Sequence, residues 1–90
     1  MLVPVRSAQF KRDARKAQRR GKDLAMLRRP LTALMRRTSL PSRYRDHPLR
    51  GDWQGYREIH IEPDWLLIYR IQGGELLLVR TGSHADLFRE

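Results

Sequence analysis

The sequence predicts an α+β fold: a small antiparallel β-sheet with an N-terminal helical hairpin packed on one face. Three observations point there. Apolar residues recur at helical spacing as far as Leu34 and alternate from Gly55 onward. The alternating half is cut by two tight breaks, Glu62-Pro63 and Gln72-Gly73-Gly74. Connections that short make antiparallel neighbours of the strands they join. Between the halves, residues 38–55 are crowded with turn formers. With 90 residues and 40% hydrophobic content, residues 1–90 make one domain around one modest core.

The elements follow in order. Residues 2–6 (LVPVR) alternate weakly, and Pro4 cannot donate to a ladder, so this is an edge strand. Ser7 is a helix N-cap. In the helix over 8–20, Phe10, Ala14 and Ala17 share one face, and basic residues cover most of the rest. Gly21 suits the C-terminal cap. The second helix carries Leu24, Leu27, Leu31 and Leu34 at spacings of 3, 4 and 3. Pro30 interrupts it, which predicts a kink near Arg29 or a restart at Pro30. Residues 38–55 read as loop, with room for a short strand near 43–45. Strands follow at Gly55–Ile61, Asp64–Ile71 and Glu75–Thr81. The glycines after Gln72 can take the positive φ of a hairpin turn. Ile59, Ile61, Leu66, Ile68, Leu76 and Leu78 are core candidates. The tail over 83–90 has room for one helical turn.

Charge narrows the function. There are 19 Lys and Arg against 10 Asp and Glu, a net +9. Residues 1–50 hold 15 basic and 3 acidic residues, and residues 51–90 hold 4 and 7. A basic half joined to a slightly acidic half is the footprint of a surface for a polyanion, either nucleic acid or an acidic protein. The absence of cysteine excludes disulfides and cysteine-based zinc sites. No apolar run has signal-peptide or membrane-spanning length, so a cytoplasmic protein with no membrane role is expected.

The groups able to do chemistry lie in the second half. His47, His60 and His84 all fall in the loop or at strand ends, where surface sites collect. Imidazole, with an unperturbed pKa of about 6.5, both gives and takes protons near neutrality. His60 ends one strand and Asp64 opens the next, so a hairpin could bring them face to face. Arg80 and His84 flank the exit of the third strand. Linear order therefore allows one rim cluster of His60, Asp64, Arg80 and His84, with His47 brought in by the loop. Such a set has the parts for RNA cleavage: a base for the ribose 2′-OH, an acid for the 5′-oxygen and a cation for the phosphorane-like transition state. Trp65, Tyr56, Tyr69 and Phe88 offer rings on which bases could stack, although Trp65 by itself fits a core better than a base platform. Histidine spacings of 13 and 24 match no compact zinc motif. No nucleophile elbow or glycine-rich phosphate loop is present. This chemistry leaves both a ribonuclease and a non-catalytic nucleic-acid binder open.

The motifs go further. DHPL-x-G, H-x-EPDW and RTG-x-HA-x-LF, in that order within residues 46–88, strongly resemble the YafQ branch of the RelE/ParE superfamily. These are toxins of bacterial type II toxin–antitoxin pairs. The resemblance spans nearly the whole chain, mainly as pattern in the helices, and implies the same α+β fold. It implies a ribosome-dependent endoribonuclease that cuts mRNA in the A site by acid–base catalysis, without metal or cofactor, leaving a 2′,3′-cyclic phosphate. By the motifs, His47, His60, Asp64 and His84 form the acid–base set and Arg80 the phosphate clamp. Trp65 and Phe88 position substrate. The cationic face of Arg12, Lys16, Arg19 and Arg20 suits ribosomal RNA or an acidic antitoxin segment. The implied partners are the 70S ribosome, mRNA and a cognate antitoxin, often of ribbon-helix-helix type, with operator DNA reached only through the antitoxin complex. Pro30 departs from the family's uninterrupted helix.

Two other functions use similar parts. A ParE-like toxin would poison a topoisomerase on the same fold, but such toxins generally lack this histidine set. A non-catalytic co-repressor would bind nucleic acid with a partner, and losing His60 or His84 would then change nothing.

Overall fold

The computed structural model describes residues 1–89. Its five strands are β1 (Val3–Arg6), β2 (His47–Pro48), β3 (Arg57–Glu62), β4 (Trp65–Gln72) and β5 (Glu75–Gly82). They lie in the order β1-β5-β4-β3-β2. The three long strands are antiparallel hairpin neighbours, as their tight turns require. β1 is the expected edge strand, but it runs parallel to β5. A parallel pair needs a long crossover, and here everything from residue 7 to residue 74 lies between the two strands.

Helix α1 (Ala8–Arg19) starts where Ser7 caps it: the Ser7 hydroxyl accepts the Phe10 N–H at 2.9 Å and donates to the Val79 carbonyl at 2.9 Å. Phe10 and Ala17 are buried against the sheet, and so is Asp13. Gly21, at φ +91°, closes the helix, and the Lys22 N–H reaches back to the Ala17 carbonyl. The second apolar stretch divides. Leu24–Leu27 is a 3-10 turn begun by Asp23, whose side chain accepts the Ala25 N–H. Helix α2 (Arg28–Met35) follows directly. The helix thus restarts two residues before Pro30. That proline occupies the first turn, where a backbone N–H has no helical acceptor and its absence costs nothing.

Residues 43–45, expected as a short strand, belong instead to the end of a 3-10 turn over Ser42–Tyr44. Tyr44 is buried, and Arg45 takes a left-handed conformation (φ +50°) that ends the turn. The short strand comes later, where His47 pairs with Glu58.

Period-two alternation in β4 sorts its side chains between two apolar layers. Trp65, Leu67 and Tyr69 join Ile59, Leu76 and Leu78 against Phe10, Leu27, Leu34 and Tyr44. Leu66 and Ile68 point the other way. They are covered by Leu87 of α3 (His84–Phe88), with Leu49, Trp53, Tyr56, Val79 and Phe88 packed around them. Both faces of the sheet are therefore filled, the second one by a loop and a five-residue helix. Among the described residues no helix is long and apolar enough to cross a membrane.

Candidate active site

The three histidines meet at one end of the sheet. His47 arrives on β2, His60 on β3 and His84 on the first turn of α3. The His47 and His60 ring centroids are 5.8 Å apart and those of His60 and His84 6.0 Å apart. Phe88, one helical turn after His84, extends the row at 6.5 Å. His84 and His47 are accessible, whereas His60 in the middle is 8% exposed.

Each ring is held by specific partners. Asp64, in the β3–β4 turn, accepts both the backbone N–H of His84 (2.8 Å) and its ring Nδ1–H (2.6 Å) with one oxygen. Because a carboxylate oxygen accepts, hydrogen sits on Nδ1 and Nε2 is the other ring nitrogen. These two bonds, the backbone one foremost, hold the Asp64 carboxyl below its ordinary range. His47 Nδ1 lies 2.5 Å from the Arg45 carbonyl, which can only accept, so Nδ1 carries hydrogen. The other nitrogen, Nε2, lies 3.1 Å from Oε2 of Glu58.

Glu58 is a member of the site that motif reading missed. It is 4% exposed and its Oε2 lies 4.0 Å from His60 Nε2. Among the described residues its second oxygen, like His60 Nδ1, is buried without a hydrogen-bond partner. Burial lowers the His60 pKa below the usual imidazole value. The negative Glu58 opposes that shift, and the positive Arg45 adds to it. The signal was present in sequence: Glu58 stands two residues before His60 on one strand, hence on the same face. His47, Glu58 and His60 also bring one ligand atom each within 4.8 Å of one another, which could hold a metal ion. Pairing of β2 with β3 gathers them despite their linear spacing.

The other expected residues are placed differently. Arg80 is outside the histidine row. Its Nε and Nη2 donate to the two oxygens of buried Asp13 at 2.8 and 3.2 Å, and this pairing raises its pKa. Asp13 also accepts the Thr81 N–H and the Gln9 amide. Arg80 and Asp64 line one small cavity between α1 and the start of α3. Trp65 is not a stacking platform. It is 1% exposed, with its indole N–H on the Thr81 hydroxyl at 2.9 Å, because β4 directs it into the helix-facing core. Lys16 and Arg20 are engaged with Asp86 of α3 at 3.4 and 2.7 Å, and Arg12 donates to Gln9. Asp13, the second residue missed, is the sole acid of α1 and falls on its Phe10–Ala17 stripe.

Comparison with known proteins shows the family. Residues 3–89 match the family model described as the bacterial toxin of type II toxin–antitoxin systems, YafQ. The chain belongs to the YafQ family of type II toxins. It is 48% identical over 83 residues to the mRNA interferase toxin YafQ of Escherichia coli K12, which covers 91% of this chain and 90% of that protein. YafQ in the crystal structure of the E. coli DinJ–YafQ complex superimposes with a TM-score of 0.88 at 44% identity, covering 98% of this chain and 99% of that one. A metal-bound toxin from Helicobacter pylori superimposes at 0.92 with 39% identity, covering 98% and 100%. These relatives share the α+β fold of this chain.

Proposed function

We propose that this chain is an endoribonuclease toxin that cleaves mRNA in the ribosomal A site by acid–base catalysis. The observation that carries the reading is the row of three imidazoles with Asp64 and Glu58 at one sheet end. One imidazole takes the proton of the ribose 2′-OH, which attacks the adjacent phosphorus. Another protonates the departing 5′-oxygen, and a 2′,3′-cyclic phosphate remains. His84, oriented by Asp64, and His47, facing Glu58, are the accessible pair for these transfers. His60 lies between them. Arg80, oriented by Asp13, adds positive charge from the cavity it shares with Asp64. Phe88, beside His84, offers a ring edge to a base, and Trp65 supports the site from the core.

His47 and His84 are open to solvent. Alignment of the 2′-OH with the leaving oxygen then falls to the ribosome, which presents the strand already oriented. The cationic outer face of α1, including Arg12 and Arg19, suits ribosomal RNA. It equally suits an acidic segment of a cognate antitoxin, and we take the DinJ–YafQ complex as support for a partner of that kind. Operator DNA would be reached through that partner. Primer extension on mRNA in programmed 70S ribosomes tests the reading: cuts within the occupied A-site codon support it. Gyrase inhibition without RNA cleavage would favour a topoisomerase poison, and neither activity would favour a co-repressor.

A second reading rests on the convergence of His47, Glu58 and His60 and on the metal-bound H. pylori relative. A metal ion there would occupy the His47 nitrogen needed for one of the proton transfers. Cleavage that persists in EDTA and falls with added zinc makes the ion an inhibitor, and loss of cleavage in EDTA makes it a participant.

A further inference from the structure

Beside His60, on the loop side of the histidine row, lies an open cavity of about 300 Å³ lined by Arg43, Arg45, His60, Ile61, Glu62 and Pro63. We infer that this cavity is a subsite for a second phosphate of the mRNA strand, flanking the scissile one, with Arg45 as its principal cation. The inference rests on the endoribonuclease reading above and extends it to a residue outside the family motifs.

Four observations carry it. Arg80, the cation the motifs suggest, is already paired twice with Asp13. Arg45 is exposed, and its guanidinium makes no ion pair among the described residues. The neighbouring acid, Asp46, is engaged elsewhere, by Arg57 at 3.2 Å and the Tyr69 hydroxyl at 2.7 Å. The one acid in the lining, Glu62, is neutralised by Lys22 at 2.6 Å.

Position fits the same role. The Arg45 carbonyl orients His47, so one residue both fixes a ring of the row and turns its charge into the adjoining cavity. Arg43 lies over the Tyr44 ring, its guanidinium carbon 4.7 Å from the ring centre, which pre-positions a second cation. Ile61 and Pro63 give the cavity an apolar wall against which a ribose can rest. A phosphate here is within one nucleotide's reach of the imidazoles. Anchoring the strand at a flanking phosphate fixes its register without reading its sequence.

The test is single-turnover cleavage of synthetic mRNA on programmed ribosomes by wild type, Arg45→Asn and Arg45→Lys. Asparagine tolerates the left-handed backbone of position 45 while removing the charge. Each protein is assayed on all-phosphate RNA and on RNAs with one neutral methylphosphonate at each position flanking the cut. Arg45→Asn should lose about tenfold to a hundredfold, the worth of a charge-assisted contact, chiefly as a raised half-saturating concentration. Arg45→Lys should recover most of that loss. One methylphosphonate position should slow wild type comparably and leave Arg45→Asn no slower than before. Unchanged cleavage by Arg45→Asn overturns the subsite. So does a loss that couples to no methylphosphonate position, since the phosphate contacted then lies on another strand. If wild type itself cuts no RNA, the endoribonuclease reading falls, and the subsite with it.

Discussion

At the scale of residues, the candidate site depends on carboxylates that orient histidines. Asp64 fixes His84 through two bonds to one oxygen, and Glu58 faces His47 Nε2 at 3.1 Å. Replacing Glu58 with Gln keeps the shape but removes the negative partner. We predict that Glu58→Gln lowers the cleavage rate by about tenfold to a thousandfold, within the range of one acid–base contribution, with an unchanged far-ultraviolet spectrum. A rate equal to wild type would remove Glu58 from the site. The motif histidines were legible because strand ends and a hairpin turn place them predictably. Glu58 was only half legible: its spacing from His60 puts the two on one face, but a carboxylate inside a strand has the look of an ordinary solvent-facing residue until its cross-strand partner is known to be His47. Trp65 is the converse case. Its neighbour Asp64 reaches the site, but period two on β4 turns the indole inward.

At the scale of elements, α3 is the piece that carries His84, and it is five residues long. It persists because Ser83 and Asp86 form a capping box at its start and because Arg20 and Lys16 of α1 grip Asp86. Burial alone would push the Asp86 carboxyl up. The Ser83 N–H, then the Arg20 guanidinium and the Ser83 hydroxyl, outweigh it and hold the group far below the ordinary carboxylate value. Unfolded, Asp86 titrates near the usual value of about 3.9. Below that pH the unfolded chain binds the extra proton first, so the stability due to this group is full above about pH 5 and drains as pH falls through 4. Thermal melts should therefore show Asp86→Asn less stable than wild type at pH 7, with the gap closing towards pH 2. A gap independent of pH would show that the carboxylate charge is not what holds α3.

Strand pairing, the edge position of β1 and the capping serine at position 7 were all legible, since each rests on local turn and cap chemistry. The parallel direction of β1 and the 3-10 turn over Ser42–Tyr44 were not, because long-range packing of β1 on β5 and burial of Tyr44 decide them. Pro30 disturbs nothing, because the 3-10 turn before Arg28 moves it into the first turn of α2.

At the scale of the whole molecule, the lopsided charge visible in the sequence is partly spent inside the fold. Lys16 and Arg20 tie α1 to α3 and Arg80 ties β5 to α1, which leaves residues such as Arg12 and Arg19 for an outside partner. Reversing those two, Arg12→Glu with Arg19→Glu, should weaken ribosome association and flatten its salt dependence. The log–log slope should fall by roughly 0.7 to 0.9 for each phosphate no longer neutralised. Association that is insensitive to salt in wild type would show that charge does not drive docking.

The central claim is that the imidazole row cleaves mRNA on the ribosome, and the most direct measurement compares wild type with His84→Ala by primer extension on programmed 70S ribosomes. The predicted result is ribosome-dependent cuts by wild type and a loss of about 10²- to 10⁴-fold in the variant, with both proteins equally folded. Equal cutting by the two would contradict it, as would folded wild-type protein that leaves ribosome-bound mRNA intact.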